Sequence, residues 1–482
     1  MYYPDLETVK KLKQRGKIVP VYREVVADME TPVSAFLKIH RGGYAFLLES
    51  VEGGERLGRY SFLGVNPSRV LRTLRKDKND PLAHLATALK KNQSLKIEGL
   101  PKFCGGAVGY LGYETVTCFE DLPVPGSDPL NLPDALFMLV DTLLVFDHVA
   151  HKIKVVSHAR LDGDINTSYK MAVKRIEELI ARLNQPLPVK VKRHAPANRN
   201  TAEFASNFRR EDYLSRVQKI KEYITQGEAI QVVLSQRLSK ETDAPPFEIY
   251  RALRGINPSP YMFYLDCKDF QIIGASPEIL VRVENDVVTT RPLAGTRPRG
   301  VNSSEDSLLE QELKNDEKER AEHIMLVDLG RNDIGRVSLP GSVVVSDLMN
   351  VERYSHVMHL VTNVQGQLAP GENAFSALRA CFPAGTVSGA PKVRAMEIIA
   401  EMETEVRGPY AGAVGYFSSS GDMDMAIAIR TMVMKQKTVY VQAGGGIVYD
   451  SVPEKEWEET INKAKAQLKA VAQAEKSLQE AG

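Results

Sequence analysis

A mixed α/β fold of the α+β kind is predicted by the 482-residue sequence, on three observations. Strand and helix signals are interspersed without regular βαβ alternation, which disfavours a doubly wound sheet. No GxGxxG or Walker loop is present to cradle a nucleotide. A hydrophobic content of 43% and a charged content of 26% are ordinary for a globular protein, of about two to four domains or one large domain with a substantial core.

Taken in order, "YAFLLES", "RYSFLGV" and "KIKVVSHA" read as strands, and "DALFMLVDTLLVFDHVA" as a buried strand pair interrupted by Asp141 and Asp147. One good helix follows in "NTSYKMAVKRIEELIARLN". The stretch "QPLPVKVKRHAPANRN" has three prolines, several basic residues and no apolar period, so it is the best linker candidate. It separates an N-terminal part, residues 1–190, from a C-terminal part, residues 200–482. "REDYLSRVQKIKEYITQGE" carries helical spacing and ends on Gly227, a C-cap residue. Strands follow in "AIQVVLSQRLS", "YMFYLDC" and "QIIGAS", then one long helix in "EDSLLEQELKNDEKERAEHIMLVDLGRND" and further strands. Another helix starts in "APKVRAMEIIAEM", and a final one at about Glu454. "GGAVGYLGYE" (105–114) and "AGAVGYFSSS" (411–420) echo each other as glycine-punctuated core strands.

Charge and cysteine usage exclude several classes. Lys plus Arg is 62 against 61 for Asp plus Glu, so nothing overall draws the chain to nucleic acid or an anionic membrane. The charged N-terminus "MYYPDLETVKKLKQRGK" lacks the apolar core of a signal peptide, and a cytoplasmic location is expected. Cys104, Cys118, Cys267 and Cys381 lack CxxC spacing, which favours inert thiols in a reducing compartment over a zinc site or a catalytic thiol.

The segment "PEKEWEETINKA" (453–464) sets Glu456 and Glu459 on one helical face, where like charges repel by roughly 0.2–0.5 kcal/mol. A glutamate-rich first turn also suits the helix dipole, and Lys455 and Lys463 are near enough to neutralise it. Glu319 and Glu322 repeat the spacing on another helix, and two such pairs could meet at a hard cation such as magnesium. Around them, "RPLAGTRPRG" (291–300) and "PAGTVSGAPK" (383–392) are Gly, Thr and Pro loops, the second leading into a helix whose free N–H groups suit an anion. "QAGGGIVYD" sets Gly444, Gly445 and Gly446 at the end of an apolar strand, where a ligand could touch the backbone. Each alone is a common turn; together they indicate a pocket for a small anion and a divalent cation.

These stretches, with "LLES", "NPSPYMFYL", "GASPEIL" and "DLGRND", resemble the chorismate-utilising enzymes, and among them the anthranilate synthase component I family, over about residues 20–470. The resemblance implies a large, mainly antiparallel β-sandwich with surrounding helices, to which both sequence parts contribute strands. The N-terminal part then has a structural and regulatory role and the C-terminal part binds chorismate. The resemblance also implies that Glu322 and Glu459 contact Mg2+, with Glu319 and Glu456 in support, and that the metal bridges to the ring carboxylate of chorismate. Arg430, Lys463, Tyr410 and the Gly444–Gly446 backbone then hold the substrate's carboxylates and enolpyruvyl group, and Thr296 and Thr386 line the pocket. Glu278 matches the general acid that protonates the departing ring hydroxyl, and His359 the histidine tied to pyruvate elimination; His356 has no such match.

Two positions select the reaction within this family. Relatives that add water carry a lysine base where this chain has Gln231, and an amide cannot take a proton from water, whereas ammonia brings its own lone pair. Relatives making 4-amino-4-deoxychorismate have a lysine where this chain has Ala294, which cannot attack the ring covalently. The implied reaction is therefore amination of chorismate and elimination of pyruvate to give anthranilate, a lyase reaction of tryptophan biosynthesis. No glutaminase segment is recognisable, so a glutamine amidotransferase subunit is the expected ammonia source. Glu49 and Ser50, with Asn257, Pro258, Pro260, Tyr261 and Met262, resemble a tryptophan feedback site. An aminodeoxychorismate synthase and a non-catalytic scaffold of the same fold are the competing readings.

Overall fold

The structure is a computed structural model that describes residues 1–50, 58–77, 79–188, 204–354 and 357–480. His356 and most of the expected linker lie outside these residues. Two large sheets, of twelve and ten strands among the described residues, organise the chain. Every pairing among them is antiparallel.

Period-two alternation on these strands sorts side chains between three apolar layers. Phe46, Phe62, Leu136, Met138, Phe263 and Val414 meet between the sheets. Ala45, Leu47 and Tyr264 face outward from the larger sheet onto the helices Ile165–Leu183, Pro246–Ile256 and Pro453–Glu480. Ala135, Phe137 and Leu139 face outward from the smaller sheet onto the helices Pro81–Lys91, Glu317–Gly335 and Ala374–Cys381. The sandwich with surrounding helices is thus present as expected.

Both sheets are seamed from the two sides of residues 189–203. In the larger sheet Ala45–Glu49 pairs with Tyr261–Asp266, and in the smaller one Gly106–Leu111 pairs with Ala413–Ser418. The latter strands are the two that echo each other in sequence, and they lie side by side with Gly109 opposite Gly415. A Cβ on Gly109 would stand 1.9 Å from the Leu136 carbonyl oxygen, and one on Gly415 would stand 2.1 Å from that of Asp424. The shared glycines therefore allow close backbone approach on the outer side of each seam strand, Gly109 toward Ala135–Val140 and Gly415 toward Met423–Ile427.

Two expectations are corrected. Ala135–Val140 and Thr142–Asp147 are both buried strands, but they do not pair; the first lies in the smaller sheet and the second in the larger, with Asp141 as the single step between them. An apolar run marks burial but not the partner strand. The long helix expected over 305–333 is two helices, Ser303–Asn315 and Glu317–Gly335, broken at Asp316 in extended backbone (ψ 111°). Asp316 caps the second helix by accepting from Glu319 N at 3.1 Å, which competes with continuing the first. By contrast, the helix Arg210–Thr225 stops as expected, with Gly227 at φ +81°. Among the described residues no helix is long and apolar enough to cross a membrane.

Gly109→Ala should lower stability by about 1–3 kcal/mol or more, because the methyl group must push two core strands apart. Gly126→Ala, with nothing within 4 Å of its Cβ, is the control. Urea unfolding midpoints of the two variants check this, and equal midpoints would reject the close-approach role.

Candidate active site

The chain steps from the larger to the smaller sheet at Pro277–Glu278, between the strands Phe270–Ser276 and Ile279–Glu284. It steps back over residues 428–430, between Met423–Ile427 and Thr431–Lys435. The two crossovers are hydrogen bonded to each other: Ile427 N donates to Glu278 O at 3.0 Å and Ala275 N to Arg430 O at 3.2 Å. They place Glu278 and Arg430 side by side at one end of the sandwich. Arg430 adopts φ +50°, a left-handed backbone that costs a non-glycine residue energy and is held here by this pairing. Glu278 is only 6% exposed. Burial pushes its carboxyl up to about 8, against the pull of the Thr386 hydroxyl, the Arg430 guanidinium and the Leu293 main chain. Burial likewise lowers Arg430, while Tyr410, Glu278 and Glu459 oppose the shift.

His359 lies on the strand Val357–Gln367, opposite Thr296 on Leu293–Pro298. The latter strand carries a bulge between Ala294 and Thr296, made by Gly295 at φ +68°. The bulge turns the Gly295 carbonyl toward His359 Nδ1, 2.9 Å away, with Thr296 Oγ1 at 3.1 Å from the same nitrogen. A carbonyl only accepts, so Nδ1 carries the proton; burial lowers the ring's pKa and keeps it neutral, leaving Nε2 as the lone-pair nitrogen. Ala294 is buried, opposite Leu360.

One carboxylate of each pair comes to the glycine strand or the strand beside it, Glu456 against Gly445 and Glu322 against Gln231, while Glu319 accepts from Arg297 Nη1 at 3.3 Å. The helix Glu317–Gly335 carries Glu319 and Glu322 in its first turns, and the helix Pro453–Glu480 carries Glu456 and Glu459. Lys318, in the first turn of the former, and Asp450, just before the latter, are 3.4 Å apart at the surface. Gln231 begins the strand Gln231–Glu241, beside Gly444–Gly446 on Thr438–Ile447, and its Nε2 donates to Glu322 Oε1 at 3.3 Å. Cβ atoms built on the glycines would meet Tyr410 Oη at 2.9 Å from Gly444, Glu456 Oε2 at 3.0 Å from Gly445 and Gln231 Nε2 at 2.3 Å from Gly446. The absent side chains thus make room for three functional groups, a reason the sequence did not reveal. Desolvation raises Glu319 and Glu456, and their neighbours Glu322 and Glu459 add to it. Glu456 Oε2 and Gln231 Oε1 are buried without a hydrogen-bond partner. Lys463 binds Glu459 at 2.6 Å and the Gly444 carbonyl at 3.0 Å, an internal role beyond the one expected of it. Among the described residues, no three His, Cys, Asp or Glu side chains are grouped to hold a metal ion by themselves.

Thr386 lies in the four-residue helix Gly385–Ser388, and a two-residue strand separates it from the next helix, Lys392–Met402. The loop 383–392 thus carries a short helical turn of its own and ends on Lys392, the first residue of the helix Lys392–Met402, so it leads into a helix as expected. Cys104, Cys267 and Cys381 are buried and Cys118 is exposed; desolvation raises all four thiols above their ordinary value.

A second cavity, of about 380 Å³, opens between the sheets at their seam. Ser50, Pro260, Tyr261 and Met262 line it, together with Phe62, Phe103 and Tyr416. Asn257 and Pro258 do not line it; Asn257 caps the helix Pro246–Ile256. Glu49 borders the cavity, but its carboxylate turns to the outer layer, where Tyr250 Oη donates to it and Arg254 Nε lies 3.1 Å away. Alternation along Ala45–Glu49 dictates this: Leu48 faces inward, so Glu49 faces out. Arg282, Asp424 and Tyr261 close the cavity wall with a network the sequence reading missed, Arg282 Nη2 and Asp424 Oδ2 being 2.8 Å apart. His323, fully buried and 2.6 Å from Thr362 Oγ1, was also missed; it anchors the Glu319–Glu322 helix to the strand of His359. A lone histidine in a helix carries no signal of such a partner.

Glu278 yields a test of its environment. A carboxyl that stays protonated in the folded state to about 8 binds a proton the unfolded chain releases at about 4.5. Its contribution to stability is therefore present below about 4.5 and is lost as pH rises to about 8. Glu278→Gln cannot ionise, so its stability relative to the parent should rise between about pH 5 and 8.5. Urea unfolding at both pH values measures this, and a constant difference would reject the buried, protonated acid.

The model of the chorismate binding enzymes matches residues 43–469. Anthranilate synthase component 1 of Acetivibrio thermocellus is 49% identical, over 98% of this chain and 99% of that protein. The crystal structure of anthranilate synthase component I from Streptococcus pneumoniae TIGR4 superposes with a TM-score of 0.76 at 39% identity, covering 92% of this chain and 98% of that one. The menaquinone-specific isochorismate synthase of Escherichia coli, at 19% identity, shares the fold, with a TM-score of 0.70 over 97% of this chain and 98% of its own. The chain belongs to the chorismate-binding enzymes and, among them, to the anthranilate synthase component 1 family.

Proposed function

We propose that this chorismate-utilising enzyme is the aminating subunit of an anthranilate synthase, a lyase that converts chorismate and ammonia to anthranilate, pyruvate and water. The observation that carries the choice of nucleophile is Gln231, whose amide donates to Glu322 at the strand end where a water-activating base would have to sit. Ammonia attacks the ring carbon ortho to the carboxylate, the ring double bonds shift, and the ring C–O bond to the hydroxyl breaks. Glu278, protonated near neutral pH, gives its proton to the departing oxygen, which leaves as water. His359 Nε2 then takes the ring proton whose loss restores aromaticity and expels the enolpyruvyl group, which becomes pyruvate. Arg430 and Tyr410 hold the substrate's carboxylate and enolpyruvyl groups beside Glu278, with Lys463, Thr296, Thr386 and the Gly444–Gly446 backbone completing the pocket. Ala294 leaves the ring open to direct attack.

The carboxylates fit a hard divalent cation, being all-oxygen donors with one buried oxygen, Glu456 Oε2, left without a partner. Glu322 and Glu459 would hold Mg2+, with Glu319 and Glu456 behind them. The bound ion would supply the positive charge that neutralises the ring carboxylate of chorismate. The relatives' designation as component 1 supports a partner component, which we assign as a glutamine amidotransferase that delivers ammonia. We assign tryptophan to the cavity at the sheet seam, where aromatic walls and the Arg282–Asp424 pair suit an amino acid with an indole ring.

The direct test is anthranilate fluorescence from the purified chain with chorismate, magnesium and ammonium sulfate at alkaline pH, with and without EDTA. A magnesium-dependent signal is expected; chorismate consumed without anthranilate would reject the reaction. Glu322→Gln should lower turnover by at least about 10²-fold while leaving the circular dichroism spectrum unchanged, and retained activity would reject its place at the metal. Ser50→Phe should fill the cavity and weaken inhibition by tryptophan, and coincident inhibition curves for variant and parent would reject the regulatory site.

A further inference from the structure

Behind the proposed site lies a buried cation that the reaction does not use. Arg407 is 2% exposed and is among the largest fully buried side chains among the described residues. Its guanidinium forks in three directions. Nε and Nη2 donate to the Glu403 carboxylate at 2.8 and 2.6 Å, Nη1 to the Val387 carbonyl at 2.7 Å, and Nη2 also to the Val233 carbonyl at 2.7 Å. The same plane lies over the rings of Tyr113 and Tyr410, 4.6 and 5.6 Å from their centroids. Glu403 in turn accepts from Ser235 N and Oγ at 2.9 and 2.8 Å. Glu114, itself buried, accepts from Arg407 N and Gly408 N at 2.6 and 2.9 Å and so fixes the backbone that leads to Tyr410.

Each contact reaches a different wall of the pocket. Val387 follows Thr386; Val233 and Ser235 are paired with Gly446 and Gly444; Tyr410 lies against Gly444. A buried ion pair is weak evidence for stability, since apolar replacements of similar volume are often as stable. What an apolar pair cannot do is hold three main-chain and ring positions at fixed distances from one planar group. We propose that Arg407, held by Glu403, is a positioning residue that sets Tyr410, the Thr386 turn and the glycine strand at the spacing chorismate requires. This inference rests on the reading of the pocket as a chorismate site.

The test is Arg407→Lys, which keeps the charge but has one ammonium in place of the fork. Melting temperature, kcat and KM for chorismate, and chorismate affinity by calorimetry are measured for parent and variant, well below both melting temperatures. We expect at least about a tenfold rise in KM and Kd with a smaller change in kcat. In the Tyr410→Phe background the same change should have a smaller effect, because part of it acts through that ring. A lowered melting temperature with unchanged KM, kcat and Kd would overturn the proposal and leave Arg407 a purely structural residue. If Arg407→Lys does not fold, Glu403→Gln is read by the same criteria, and unchanged KM and Kd there overturn it equally. A parent that fails to bind chorismate defeats the reading of the pocket and this inference with it; a parent that binds it, with variants that bind equally well, defeats only the inference.

Discussion

Ile427 N donates to Glu278 O and Ala275 N to Arg430 O, so two of the places where the chain passes between the sheets are tied to each other. Glu278 and Arg430 take their positions from this double step. A strand's interior residues are committed to one face or the other, but a crossover residue belongs to neither sheet and points along the end of the sandwich. That is where a buried acid and a half-buried guanidinium can stand side by side without displacing core side chains. The glycine strand and the two glutamate-bearing helices then close around that end.

Burial has opposite consequences at neighbouring groups, and the sum is chemically ordered. Desolvation raises Glu278, Glu319 and Glu456 and lowers His359 and Arg430, so each loses some preference for its charged form. A cleft of partly discharged groups has unmet electrostatic demand that a dianionic substrate and a divalent cation would satisfy together. Orphaned oxygens on Glu456 and Gln231 carry the same message in hydrogen-bonding terms.

Residues with a periodic or capping signature were legible in the sequence. The amphipathic helix Ile165–Leu183, the stop at Gly227, and the carboxylate spacing of Glu319/Glu322 and Glu456/Glu459 all rest on local geometry that one segment specifies by itself. The strand order did not show, because "DALFMLVDTLLVFDHVA" is equally apolar whether its halves pair or part at Asp141. Nor did Glu278 and Arg430 stand out from their own surroundings; only the family resemblance singled them out, since crossover geometry leaves no period. The resemblance singles out Glu49 but not the direction of its carboxylate, which the alternation of its strand decides. Arg407 escaped notice because a buried arginine and a surface one read alike in sequence.

The seams between the two sequence parts also constrain how the chain reaches this structure. Ala45–Glu49 finds its neighbour in Tyr261–Asp266, and Gly106–Leu111 in Ala413–Ser418. Contacts so distant along the chain require large loops to close before any apolar burial rewards them, which makes such topologies slow to fold. Until both seams close, the flanking strands present long unpaired edges, the usual starting points for association between chains. Expression yield and refolding concentration should therefore respond to changes at the seams more sharply than equilibrium stability does.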